Sequence, residues 1–154
     1  MKIIENPSLY YELTEYEYPV TEPEEITEDL KSKTGEYFPE PPKVNYRIKR
    51  VHPSMEEHLS PAFYLTTPVD DLENNVIYIN GKYVDNGQNE LYPTLAHEGY
   101  PGHLYQNVME RSSGLAPVRS LFGSSGYAEG WATYVEMQSF YYSDVEKEVA
   151  AYLQ

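Results

Sequence analysis

Cysteine is absent from this 154-residue chain, which excludes disulfides and thiolate metal sites and leaves the compartment open. Positive charge is scarce: 11 Lys and Arg stand against 25 Asp and Glu, for a formal net charge of −14. A surface of that sign repels phosphate and counts against nucleic acid as a partner. The acidity is densest at the front, where Glu5, Glu12, Glu15, Glu17, Glu22, Glu24, Glu25, Glu28 and Asp29 outnumber Lys2, Lys31 and Lys33; it is read as a solvated acidic face. No apolar run is long enough to span a bilayer, and Met1-Lys2-Ile3-Ile4 meets Glu5 at once, unlike a signal peptide. Repeats and low-complexity tracts are also lacking. A chain of this length is expected to form one domain with a sizeable core.

Patterning predicts an α+β fold. Residues 1 to 20 read as an extended lead-in. Thr21 and Glu24 match a capping box ahead of Ile26 and Leu30, and Gly35 follows, which predicts a helix near 22 to 33. Phe38 to Pro42 reads as a rigid linker. Val44, Tyr46 and Ile48 alternate with Asn45, Arg47 and Lys49, the period of a half-buried strand whose charges protect an edge. Ser54 and Glu57 suggest a second capping box before one or two helical turns, and Ala62 to Leu65 and Val76 to Asn80 read as strands. Val76 to Asn80 is expected to present an edge that pairs with an extended peptide. Asn80-Gly81 signals a turn, with Lys82 to Val84 as a short returning strand. From Glu90 the chain turns helical through Glu98, breaks at Pro101-Gly102, resumes at His103 and ends near Ser113, before Gly114 and Pro117. After a flexible turn at Gly123 to Gly126, a last helix runs from about Tyr127 to Gln154, with a break near Ser143-Asp144. Residues 1–42 are thus a lead-in and short helix, 43–84 a small, mainly antiparallel sheet, and 85–154 helices that carry the chemistry.

That chemistry lies in Thr94-Leu95-Ala96-His97-Glu98-Gly99-Tyr100-Pro101-Gly102-His103 and in Tyr127-Ala128-Glu129-Gly130-Trp131. Two histidines, a glutamate beside the first and a second glutamate further on are the parts needed to hold a zinc ion and activate its water. The histidines are six positions apart, which on a regular helix leaves them about 120° out of line. Pro101 and Gly102 would loop out of the helical path and turn His103 back toward His97. Glu129, from a second helix, would complete a two-histidine, one-glutamate site, with the fourth position left for water. Glu136, two turns beyond Glu129, would orient a ligand histidine through its second ring nitrogen.

The segments LAHEGYPGHLYQ and GYAEGWATYVE closely resemble the bacterial domain of unknown function 885 family, whose members carry HExxPGHxxQ followed by EGWAxYxE. The resemblance covers essentially the whole chain; residues 38–44 and 61–65 also look like the family's approach to its site. That family is grouped with the glutamate-zincins, the zinc metallopeptidases related to thermolysin. The resemblance implies a zincin-like fold, zinc bound by His97, His103 and Glu129, and Glu98 as general base. Because family members are several times longer, it also implies that this chain is the central piece of a larger, mainly helical protein whose remainder completes the site.

Plainer readings stand beside each residue. His97 and His103 could be ordinary helix histidines, and Glu129 a paired core carboxylate, although a buried glutamate is costly without a cation. Glu136 could lie on the surface, as His52 and His58 are expected to. Most of the 17 tyrosines serve packing, while Tyr100, inside the motif, is a candidate for lining the substrate cleft. Three functions remain open: a zinc peptidase acting on peptides or small amides, a zinc hydrolase of another amide or ester, and a binding module whose metal is structural or lost. Glu98 argues against the third, since a structural site needs no base beside its first ligand.

Overall fold

The computed structural model describes residues 20–85, 91–116 and 118–143; the expected lead-in and everything past Ser143 lie outside them. The first helix, α1 (Pro23–Tyr37), starts from Glu22, which makes no side-chain cap bond, so Thr21 is not the cap. Pro23, in the first helical turn, sets the start instead. The helix also runs through Gly35 rather than stopping near 33. Ile26 and Leu30 are fully buried and Tyr37 stacks on Tyr142 at 4.6 Å, so packing outweighs the propensity cost of one glycine.

Three strands follow: β1 (Tyr46–Arg50), β2 (Ala62–Leu65) and β3 (Asn75–Ile79). Their order is β1-β3-β2, with β1 parallel and β2 antiparallel to β3. The sheet is therefore mixed rather than mainly antiparallel. The strand read as an edge, β3, is central and already paired on both sides; the edges belong to β1 and β2. Asn75, Ile77 and Ile79 alternate inward and are buried, as the two-residue period requires.

Between β1 and β2 lies a 3-10 segment, Pro53–His58, capped by the His52 ring accepting from the Ser54 amide, not by Ser54. After β3 the expected returning strand is instead a short helix, α2 (Gly81–Asp85). The cause is Asn80. Its Oδ1 accepts from the Lys82 amide at 3.2 Å, the role of a helix cap, while its Nδ2 donates to the carbonyls of Glu56 and Leu59.

The remaining helices are α3 (Leu91–Glu98), α4 (His103–Ser112), α5 (Val118–Leu121) and α6 (Ser125–Tyr142). Ser124 caps α6, so this helix starts inside the expected turn, and α5 was not foreseen. In α6 the buried positions Ala132, Val135, Ser139 and Tyr142 form a seam at three- and four-residue spacing, and α6 packs against α3. Leu95 and Ala96 of α3 join Ile26, Leu30, Ile77, Leu104 and Val108 in one core. The α+β architecture thus sets α3 between the sheet, α1 and α6, which fixes where its last turn can point. No helix among the described residues is long and apolar enough to cross a membrane.

Candidate metal centre

His97 lies in the last turn of α3, which ends at Glu98, and His103 begins α4, so the interruption is four residues long and separates two helices. Gly102 makes the join possible. A Cβ there would lie 1.8 Å from the His97 carbonyl oxygen and 2.4 Å from that of Ala96, an approach only glycine permits. The Gly99 amide still donates to Leu95 at 2.8 Å and the Gln106 amide to Gly102 at 2.9 Å, so each helix is hydrogen-bonded up to the break. The two imidazoles meet edge to face with centroids 4.8 Å apart.

The carboxylate of Glu129 faces both rings. Its Oε2 is 3.4 Å from His97 Nε2 and its Oε1 is 3.5 Å from His103 Nε2. A ligand atom from each of the three residues lies within 4.8 Å of the other two. Both contacts fall within ion-pair range but are longer than the about 2.7–2.9 Å of a well-formed charge-assisted hydrogen bond. They match the edge of a tetrahedron with bonds of about 2.0–2.1 Å, which is about 3.3–3.4 Å. The Glu129 side chain is 62% exposed, so the cost of burying a lone carboxylate does not apply to it.

Glu136, on the same face of α6, places Oε2 2.8 Å from His97 Nδ1. One helix therefore touches both nitrogens of one imidazole. This contact raises the His97 pKa above its usual value against the opposing effect of burial, and Glu98, Glu136 and Glu129 add to the rise through their charges. Burial lowers that of His103, with help from His97, which favours the neutral ring a metal needs. Burial raises the Glu98 carboxyl, opposed first by the Tyr64 amide, which donates to Oε2 at 2.8 Å.

Tyr100 is a correction. It is 1% exposed, packs edge to face on Tyr46 at 5.9 Å, and has Lys31 over its ring; it is a core residue and does not line the cleft. The cleft, about 1170 Å³, is bounded by Tyr64, Thr66, His103, Gln106, Arg119, Glu129 and Trp131 among others. Sequence reasoning missed three of its parts. Trp131 Nε1 donates to the Pro101 carbonyl at 2.8 Å, tying α6 to the loop between the histidines; its place two residues after Glu129 was the available signal. The Tyr64 hydroxyl accepts from Asn107 Nδ2 and donates to Asn75 Oδ1, each at 2.8 Å, which fixes the strand whose amide holds Glu98. Tyr64 falls in the 61–65 segment that resembles the family's approach to its site, but nothing local in the sequence marks its pairing with Asn107, or Arg119.

No curated protein matches the chain. Among solved structures it is similar to a candidate lipoprotein from Colwellia psychrerythraea, with a TM-score of 0.71 and 21% sequence identity over 85% of this chain. The match covers 23% of that protein, so the chain spans about a quarter of its length. A sequence profile of the bacterial proteins of unknown function termed DUF885 matches residues 2–148. The chain belongs to that family.

Proposed function

We propose that this chain carries the centre of a zinc-dependent peptidase, in which His97, His103 and Glu129 hold the ion. The observation behind this reading is that Glu129 faces both imidazoles at 3.4 and 3.5 Å and a ligand atom from each of the three residues lies within 4.8 Å of the other two, at a cleft lined by two of the three residues. Two imidazoles and one carboxylate form a donor set suited to zinc with an open position. When bound, zinc would polarise water and the scissile carbonyl.

The chain's own residues supply the rest. Glu98 is held through Oε2 by the Tyr64 amide, which leaves Oε1 to take a proton from the attacking water and return it to the leaving amine. Burial raises its pKa, bringing the carboxylate closer to the basicity such a relay needs. Glu136 fixes the His97 ring through Nδ1, so that Nε2 faces Glu129 and the ligand position. Tyr64 and Thr66 line the cleft in which a peptide would lie.

The test is turnover. The full-length protein, loaded with zinc, is incubated with a broad fluorogenic peptide library. Cleavage that a chelator abolishes and zinc restores is the expected result. Zinc bound in full with no peptide cleaved would replace this reading with hydrolysis of another amide or an ester.

A further inference from the structure

We infer that the cleft recognises a carboxylate on its ligand through Arg119, an inference that rests on the peptidase reading. The charged residues in the cleft lining are His103, Glu110, Arg119 and Glu129, and Arg119 is the one fixed positive charge among them. The chain as a whole, at net charge −14, repels anions, so a carboxylate in the cleft would find its attraction at Arg119. The nearby Arg111 is committed elsewhere: its guanidinium donates to Thr67 Oγ1 at 2.9 Å, to the Thr67 carbonyl at 2.7 Å and to the Pro68 carbonyl at 2.6 Å. Arg119 forms no ion pair among the described residues. Its planar donor fork matches a carboxylate in a way that lysine does not.

A second observation is independent of charge. Around Arg119 the lining exposes Leu115, Val118 and Phe122, the last 80% exposed. An apolar stretch with a cation in it suits a peptide that presents an apolar side chain beside an anionic group. The carboxylate is either the peptide's own C-terminus or an Asp or Glu side chain.

Trp131, the single tryptophan of the chain, lines the cleft, so its fluorescence reports occupancy without turnover. Three probes are titrated into the zinc-loaded full chain: Ala-Ala-Phe-Ala as the free acid, the same peptide as its C-terminal amide, and Ala-Ala-Phe-Glu amide. The free acid or the glutamyl amide should bind more tightly than the neutral amide, and whichever does so identifies the source of the carboxylate. Arg119→Gln should erase that preference, weakening the acidic probe by about ten- to hundredfold, the scale of a charge-assisted pair, while the neutral amide is unchanged. Arg119→Lys should restore part of it. Equal binding of all three probes, or a preference that survives Arg119→Gln, overturns the inference. Arg119-dependent binding of an acidic probe without cleavage of any peptide would instead overturn the peptidase reading and leave this one standing.

Discussion

Two stretches at the cleft are held in opposite ways. Around His97, His103 and Glu129, buried contacts lock every element: Leu95, Ala96 and Leu104 flank the histidines in the core, Gly102 fits against two carbonyls, and Trp131 bonds the intervening loop. The large apolar side chains of Leu115, Val118 and Phe122, by contrast, face solvent, and α5 is a single turn. The difference teaches that atoms which must hold fixed separations sit where packing over-determines them, while the stretch that meets a variable ligand is lightly held.

If the first stretch is a lock, Gly102→Ala should have the largest effect of any glycine-to-alanine change among the described residues. The added Cβ meets backbone rather than a flexible side chain, so α3 and α4 must separate. Loss of zinc retention together with a large fall in melting temperature is expected from metal analysis and thermal denaturation. Unchanged zinc content would break the comparison.

Next in size is Glu98→Gln, which removes the proposed proton acceptor and no ligand. Turnover should fall by about 10² to 10⁴ with zinc content intact, read from peptide hydrolysis alongside metal analysis. A fully active variant would remove Glu98 from the mechanism.

Glu136→Gln should cost less, about 10- to 100-fold in zinc affinity by chelator competition, because it loosens His97 without deleting a donor. An affinity equal to that of the unmodified chain would make the 2.8 Å contact incidental. Smallest of all, Phe122→Ala should shift unfolding free energy by less than about 0.5 kcal/mol in denaturant titrations, as exposed positions do. A loss of several kcal/mol would show that this stretch is packed after all.

How much of this was legible beforehand depends on whether the signal was local. The histidines, the glycine-proline break and Glu129 stand in two short motifs, and the need to bend the chain between two ring nitrogens was readable from their spacing. The residues that support them come from elsewhere. Tyr64 contributes a backbone amide, which any residue type carries, and Asn107 reaches it across 43 positions. Tyr100 misled because its place inside the motif says nothing of which way it points; it packs against Tyr46 and under Lys31. Asn80-Gly81 has the composition of a hairpin turn, yet the Asn80 side chain capped a helix because Glu56 and Leu59 offered it carbonyls. Alternation placed all three strands to within two residues, but pairing partners depend on chain reversal, and β3 took the centre rather than the edge.

The central claim is that His97, His103 and Glu129 hold one ion. It is tested most directly by anomalous scattering at the zinc edge from crystals grown with one equivalent of zinc. The account predicts a single strong peak within about 2.0 to 2.2 Å of both Nε2 atoms and a Glu129 oxygen, absent from crystals of Glu129→Ala. A folded protein with no peak between these residues, or with its zinc bound elsewhere, would contradict it.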